Sequence, residues 1–593
     1  MQISRRIFSL IAPMIIVPSI LAAQTYPSGN DPRNGLKPGR LDAGVAAENM
    51  RLVSFSPKPA AFDTARGLTF INSDLAFSDH YVYQGNFAGF TVWNVSNPQA
   101  PKTVAVVSCI TAQADPSVYG HLLFISAEGL GNRTDCAKGG VQDRKHHMAG
   151  VRIYDVTNPA EPRLIKNVQT CKGSHTHTIV PDPKDKGVIY LYVSGNQGAR
   201  PATELAGCNN GTDPADVNNS LFRLDVIRVP LAHPEQSEVV TGARIFTGLG
   251  AAPRAAGRPV RARPGAEPAL PTGPRNCHDV TAYPEMNLLA GACASYGLLV
   301  DISNPLKPVR LDAVSDTNFS LWHTAVFSND AKRVVFTDEW GGGTGPMCQA
   351  TSMMQMGGNT TLTIDSKRKL TEHAYFKIPT AQSAQENCVS HNGGLIPVPG
   401  RDIMAQGWYQ GGVDIIDFTN PDHPYELAYY DRGPIDTAAT APTGERGTRG
   451  TIGGSWGAYW WNGLIYSSEL DRGFDIYELQ PSDKLSANEI AAAKLIHLTQ
   501  YNPQSQPHIV WPAAFPVVRS YLDQLVRNKG LDAARTTAIA SALDAAEKQS
   551  GQQRRAALQT LASQVSKDAN GAQDSARVKT MAAAITALAK ATE

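Results

Sequence analysis

The sequence lacks several features that would assign it to a familiar functional class. Its 54 Lys+Arg and 53 Asp+Glu residues leave a net charge of +1, so it has no net basic character of the kind that general nucleic-acid binders need. No cysteine pair has the CxxC spacing of a zinc ribbon or a thioredoxin-like redox site. No P-loop, serine nucleophile elbow or dinucleotide fingerprint occurs in the strand–helix context that its chemistry requires. We therefore expect no nucleic-acid partner, and the chain carries no ready-made catalytic motif.

Long apolar runs are also lacking beyond the N-terminus, so the sequence predicts no transmembrane span. The one apolar run, residues 7–21, follows a short basic segment and precedes the small residues Ala22 and Ala23. This pattern predicts a signal peptide over residues 1–23, with Arg5 and Arg6 leaving the twin-arginine and Sec routes both open. The protein is expected outside the cytosol: in the periplasm, secreted or on the cell surface.

The cysteines agree with export. There are eight, and an even number in an exported chain predicts disulfide bonds. Cys277 and Cys293 lie symmetrically about Glu285, inside a predicted turn. A hairpin centred there would place these two cysteines opposite each other, whereas the other pairings stay open.

Internal repetition predicts the fold. Four segments share a glycine, a β-rich run and the pattern Asn-Pro-x-x-Pro; they are residues 89–101, 150–162, 297–308 and 412–424. The run predicts a strand, the Asn-Pro step a turn, and the second proline the start of an outer strand. The spacing leaves room for two degenerate units between these segments, and another unit follows the last one. Seven such units predict an all-β, seven-bladed β-propeller over residues 50–483, closed by a strand at residues 50–56.

The repeat Gly-(Leu/Val)-x-(Ile/Val)-x-Asp-(Val/Ile)-(Ser/Thr)-Asn-Pro-x-x-Pro resembles that of the LVIVD-repeat family of exported propeller proteins. The resemblance covers residues 50–483 and is specific in four blades. It implies a fold and a location outside the cytosol more than a chemistry.

The remaining segments are predicted from composition. Residues 24–49 are predicted to be an N-terminal linker. After Ser482 the composition shifts to Ala, Leu, Gln and Lys. Ser486 and Glu489 form a capping box, so residues 484–513 are predicted to be a helix followed by a Pro-rich linker. Apolar residues at helical spacing, broken by glycines, predict an independent helical bundle over residues 514–593.

Histidines form the one group of residues whose pattern is suited to catalysis or metal binding. An alignment of the blades on their second strands brings four histidines to one position in consecutive blades; they are His177, His278, His323 and His391. That position begins the innermost strand, which lines the channel, so the imidazoles are expected to converge at one mouth. Loops on the same face carry further candidates. We assign Glu339 as the carboxylate of a metal site, and Glu128, Trp340, Trp408 and Glu469 as ligand-binding residues.

Three functions fit this arrangement. The first is a binding or scaffold protein that takes a small ligand, or a surface or protein partner, on the histidine face. The second is a metal-dependent, copper-type oxidoreductase, since imidazole with carboxylate suits copper, zinc or iron. Its channel histidines are similar to those of the copper-dependent methanethiol oxidase (selenium-binding) propellers, whose motifs are absent here. The third is a structural cell-surface protein. Against a metal site stands a packing role, in which each ring hydrogen-bonds to the neighbouring blade.

Overall fold

The computed structural model describes residues 27–591 apart from residues 28, 63–69, 130–131, 138, 140, 142, 253–272 and 436–451. The predicted signal peptide, residues 1–23, lies outside the described residues.

Antiparallel sheets follow one another along the chain and confirm the seven-bladed β-propeller. Two strands precede the blades: β1 (Val45–Glu48) and β2 (Met50–Pro57). Blade 1 consists of β3 (Asn72–Ser78), β4 (Tyr81–Asn86), β5 (Gly89–Asn94) and β6 (Lys102–Ser108). Blade 2 consists of β7 (Pro116–Tyr119), β8 (Leu122–Ala127), β9 (Gly150–Asp155) and β10 (Arg163–Gln169). Blade 3 consists of β11 (Thr176–Pro181), β12 (Val188–Ser194), β13 (Leu224–Pro230) and β14 (Glu238–Ala243).

The remaining blades repeat the pattern. Blade 4 consists of β15 (Val280–Tyr283), β16 (Leu288–Cys293), β17 (Tyr296–Asp301) and β18 (Val309–Val314). Blade 5 consists of β19 (Trp322–Phe327), β20 (Arg333–Asp338), β21 (Asn359–Ile364) and β22 (Leu370–Phe376). Blade 6 consists of β23 (Asn392–Ile396), β24 (Ile403–Gly407), β25 (Val413–Asp417) and β26 (Tyr425–Arg432). Blade 7 consists of β27 (Ser455–Trp461), β28 (Leu464–Glu469) and β29 (Gly473–Leu479), with β2 as its outer strand.

The N-terminal strands close the ring. Strand β2 pairs antiparallel with β29, from Met50 opposite Leu479 to Pro57 opposite Gly473, as the sequence predicts for the outer strand of the last blade. Strand β1 pairs with β26, so the end of the segment predicted as a linker is a fifth strand of blade 6. Upstream of β1, the buried guanidinium of Arg33 forms an ion pair with Glu426 at 2.6 Å. Residues 24–49 therefore belong to the propeller in part.

The Asn-Pro repeats form the predicted turns. The carbonyl of each repeat asparagine accepts a hydrogen bond from the amide three residues later, at 2.9–3.1 Å, and its side-chain oxygen accepts from the amide two residues later; the four asparagines are Asn97, Asn158, Asn304 and Asn420. Proline after the asparagine presets the turn because its ring fixes φ. The repeat glycine is also required, since a Cβ at Gly89 or Gly150 would lie about 2 Å from a carbonyl oxygen of the outer strand.

Helices follow the last blade. They are α1 (Ala487–Ala493), α2 (Phe515–Arg527), α3 (Ala533–Glu547), α4 (Gly551–Asp568) and α5 (Ser575–Lys590). The capping box of Ser486 and Glu489 is present at the start of α1. The bundle is held against blade 6: Gln524 donates to the carbonyl of Pro399 at 2.9 Å, and Glu489 pairs with both Arg401 and Arg527. None of the helices within the described residues is long and apolar enough to cross a bilayer.

The segment between α1 and α2 differs from the predicted linker. Its residues Gln500–Tyr501 form strand β30, which pairs with β3 on the inner edge of blade 1. The start of the Pro-rich stretch is therefore hydrogen-bonded to the propeller and is not a free linker. Composition alone predicted a linker here. The partners of these hydrogen bonds lie some 400 positions away in the chain, so no local pattern in the sequence reveals them.

All eight cysteines form disulfides, as expected of a protein from an oxidising compartment. Cys277 pairs with Cys293, as predicted. The other bonds are Cys109–Cys136, Cys171–Cys208 and Cys348–Cys388.

Candidate metal centre at the channel mouth

Four imidazole rings lie side by side at the start of the innermost strands of blades 3 to 6. They belong to His175, His278, His323 and His391. The ring centroids of successive histidines are 4.1, 4.0 and 4.1 Å apart. His323 and His391 are fully buried, and the side chain of His175 is 14% exposed. The row therefore begins at an opening and ends in the interior.

The strand pairing explains why these rings converge. The backbone amides of His175, His278 and His391 donate to carbonyls at the end of the second strand of their own blades, at 2.7, 2.8 and 3.0 Å. The same backbone position in successive blades faces the same part of the channel. Three disulfides hold the residues just before the histidines, through Cys171, Cys277 and Cys388.

The structure corrects the placement of His177. Its Nδ1 and Nε2 lie 2.8 and 2.6 Å from the hydroxyls of Ser126 and Ser117 in blade 2, so this ring packs against the neighbouring blade. His175 takes the predicted place in the row. Residues two apart in a strand point to the same face, so an alignment of His-Thr pairs cannot separate His175 from His177. The hydrogen bond to the second strand does separate them.

Each ring of the row has its Nδ1 engaged by the protein. Nδ1 of His175 lies 2.9 Å from Glu128, and Nδ1 of His278 lies 3.0 Å from Asp279. Nδ1 of His391 bonds to the carbonyl of Trp456, and Nδ1 of His323 lies 3.4 Å from the hydroxyl of Thr337. These contacts of Nδ1 orient each ring, so that its Nε2 faces the neighbouring rings of the row.

Glu339 faces three of the Nε2 atoms. Its carboxylate oxygens lie 3.6 Å from His278, 3.8 Å from His323 and 3.8 Å from His391. These distances are too long for hydrogen bonds, but two ligands of one ion at about 2.0–2.1 Å each are separated by up to about 4.2 Å. Within the described residues, Nε2 of His323 and of His391 has no hydrogen-bond partner. The Nε2 atoms of His323 and His391 and the carboxylate of Glu339 thus face the same small volume.

A second set of possible metal ligands, which contains Asp279, overlaps the set that contains Glu339. One ligand atom each of His278, Asp279 and His323 also lies within 4.8 Å of the others, as do those of His323, Glu339 and His391. His323 is common to both sets, so it stands at the centre of the row. His175 is the most peripheral ring, because the amide of Gln113 lies 3.2 Å from its Nε2.

Burial keeps the central rings neutral. It lowers the pKa of His391 to about 3 and that of His323 well below its usual value, so both rings offer lone pairs at neutral pH. His175 behaves differently: burial opposes its charge, but Glu128, Asp279 and Glu339 outweigh this and raise its pKa. Neutral imidazole is the form that binds metal ions.

The carboxylates are shifted in opposite directions. Burial raises the pKa of Glu339, despite His278 and a hydrogen bond of 2.5 Å from the hydroxyl of Tyr409. Burial also disfavours the charge on Glu128, but the adjacent His175 outweighs it and lowers the pKa. Gly343 lets the loop pass over this pair, because a Cβ there would lie 2.2 Å from the Tyr409 hydroxyl.

The predicted ligand-binding residues have mixed positions. Glu128 lies at the mouth, on His175, and Trp340 is half-buried in an apolar cluster with Tyr409 and Trp456. Trp408 is instead fully buried and packs on Phe376, so it belongs to the core. Glu469 is buried as well; it accepts from the amides of Gly454 and Asp471 and pairs with Arg472, which fixes a turn. Trp408 and Glu469 thus make structural contacts, and their role as ligand-binding residues stays a prediction.

Sequence reasoning missed three residues of the site. His175 and Asp279 each adjoin a predicted position, and the repeated His-Thr at residues 175–178 was the available signal for His175. Tyr409 follows Trp408 directly; its ring lies 4.6 Å from that of His391. Nothing in the sequence distinguishes which of these two neighbouring aromatics faces the channel.

Comparisons with known proteins identify no family for this chain. No family model matches the chain, and the search of curated proteins gives no significant match. Similar solved structures include a putative 6-phosphogluconolactonase from Bacteroides uniformis ATCC 8492, 12% identical, with a TM-score of 0.37 over 64% of this chain and 84% of that one. The Dos1 propeller is 10% identical (TM-score 0.37, 69% and 77%), and Kuenenia stuttgartiensis hydrazine synthase is 12% identical (TM-score 0.37, 65% and 89%).

Proposed function

We propose that this protein is an exported, LVIVD-type β-propeller with a mononuclear transition-metal centre at its channel mouth. The observation that carries the proposal is that the two nitrogens of each imidazole have different surroundings. Nδ1 is engaged by a fixed protein group, whereas the Nε2 atoms of His278, His323 and His391 face one carboxylate without hydrogen bonds. Packing histidines use both nitrogens, as His177 does.

The donor set indicates the kind of metal. It contains imidazole nitrogens and a carboxylate, which suit copper, zinc or iron, and no thiolate, because every cysteine is in a disulfide. Three imidazoles and Glu339 would saturate a tetrahedral zinc ion, whereas copper and iron accept further ligands. A centre that also binds a substrate therefore favours copper or iron.

A catalytic role fits better than a structural one. The blades are already held by strand pairing and disulfides, so the fold does not need an ion at this position. The side chains of His175 and Glu128 are 14% and 13% exposed, so the row of rings comes nearest to solvent at this end. Tyr409, whose hydroxyl donates to Glu339, would place a proton donor beside the metal. We infer a metal-dependent oxidoreductase.

Metal-free binding on the same face is the second candidate. It is favoured by the Gln113 amide, which lies within hydrogen-bonding distance of Nε2 of His175 without any ion. In that case the mouth binds a small ligand or a partner through His175, Glu128 and Trp340.

Elemental analysis separates the two candidates. We expect the exported protein, purified without chelators, to hold one copper or iron per chain, and His323→Ala and His391→Ala to lose it. His177→Gln is the matched control and should retain the metal. A wild-type protein that stays metal-free after incubation with Cu²⁺, Fe²⁺ and Zn²⁺ would refute the metal centre and leave metal-free binding.

A further inference from the structure

The segment Gln500–Trp511 crosses the channel at the end opposite the imidazoles. Tyr501 pairs with Phe77 of blade 1. The Asn502 side chain then bonds both backbone groups of Val118 in blade 2, at 2.7 and 2.8 Å. The segment thus passes the innermost strands in the order of the blades.

The same segment contacts every strand that carries a histidine of the row. In blade 3 the Ser505 hydroxyl donates to the carbonyl of Ile179 at 3.0 Å. In blade 4 the amide of Ala282 donates to the carbonyl of Gln504 and its carbonyl accepts from the amide of Gln506, both at 2.8 Å.

Blades 5 and 6 complete the set. The Gln506 side chain bonds both the amide and the carbonyl of Phe327, at 3.1 and 3.0 Å. The Trp511 indole donates to the carbonyl of Pro397, just after β23, at 2.7 Å. Gln504 and Gln506 are both buried.

These contacts lie at one depth. Ile179, Ala282 and Phe327 are each four residues after a histidine of the row, in blades 3, 4 and 5. At about 3.3 Å per residue, the segment contacts each strand roughly 13 Å from the imidazole. The regularity also supports His175, and not His177, as the member from blade 3.

We propose that Gln500–Trp511 is a clamp that positions the imidazoles and closes the far end of the channel, so that metal and reactants enter only from the histidine mouth. This inference rests on the proposed metal centre. Each blade of a propeller contacts only its neighbours, so rings from four blades can drift relative to one another. A metal site tolerates displacements of about 0.5 Å. One segment bonded to all four strands removes that freedom.

Variants at Gln506 test the clamp. Gln506→Met keeps the side-chain volume but cannot form the paired bonds to Phe327, and Trp511→Phe, which keeps a ring but loses the indole N–H, serves if the first variant does not fold. Gln552→Ala, on the exposed side of α4 in the helical bundle, is the control. The measurements are the affinity for Cu²⁺, the Cu(II) electron paramagnetic resonance spectrum and amide hydrogen exchange.

We expect Gln506→Met to bind Cu²⁺ about 10–100-fold more weakly, as when other groups that orient ligands are removed, and to show a changed spectrum. Exchange should quicken along β15 and β19 as far as His278 and His323. An unchanged spectrum and affinity, or faster exchange confined to Phe327, would overturn the clamp. If the wild type binds none of Cu²⁺, Fe²⁺ and Zn²⁺, the proposed metal function fails, and the spread of faster exchange alone then decides whether the clamp is correct.

Discussion

Two histidines in one strand should respond to the same substitution in different ways. His177 is buried and bonds two serine hydroxyls, whereas His175 lies at the end of the imidazole row, with its ring 4.1 Å from that of His278. His177→Ala removes both bonds and leaves a cavity, so it should lower the free energy of unfolding by about 3–5 kcal/mol. His175→Ala removes the partner of Glu128, whose Oε1 is already buried without a hydrogen bond among the described residues, so it should lower the free energy of unfolding of the metal-free protein by a smaller amount, about 1–3 kcal/mol.

Bound metal should change the free energy of unfolding of the two variants by different amounts. An ion at 100 times its dissociation constant stabilises the native state by about 2.7 kcal/mol. His177→Ala should keep that increment, and His175→Ala, which removes the ring that packs 4.1 Å from the ligand His278, should lose part of it. Urea unfolding followed by circular dichroism, with and without saturating Cu²⁺, measures both quantities. A His177→Ala protein that is stable but no longer responds to Cu²⁺ would show that the assignment of the two rings is reversed.

Three further outcomes are expected. Burial raises the pKa of Asp402 to about 7, so this group's contribution to stability is full below pH 4 and is lost as the pH rises to 7; Asp402→Asn should therefore flatten the decline of the melting temperature between pH 5 and 8, and equal declines would contradict the assignment. Truncation after Ser482 removes the clamp and the partners of Arg401, so the product should aggregate or lose protease resistance; a soluble, resistant product would show that the propeller is complete without them. Mass spectrometry of the exported protein should find cleavage after Ala23, and an intact Met1 would argue against export.

The parts of the fold that were predictable are those held by local bonds. Each Asn-Pro turn closes within three residues, and the hairpin between Cys277 and Cys293 spans 16. Such features appear in the sequence as fixed spacings. The blades and the closing strand at residues 50–57 follow from counting them.

The rest depends on contacts that leave no local pattern. The bonds from Gln506 to Phe327 join residues 179 positions apart, and the surrounding prolines resemble those of a linker. Trp408 and Tyr409 are adjacent, yet one packs in the core and the other bonds Glu339. His175 and His177 share a strand face, so only the hydrogen bond to the second strand assigns one of them to the channel.

The two ends of the channel address one physical problem. Ligands from four blades belong to four separate sheets, and an ion at the mouth would join those sheets at one end only. The segment at the other end bonds the strands of blades 3 to 5 about 13 Å away and Pro397 just after the strand of blade 6, and disulfides hold the chain just before three of the histidines. A strand fixed at two points can neither slide nor tilt. The imidazoles can therefore be arranged before the ion arrives, and the free energy of binding is not spent on assembling the site.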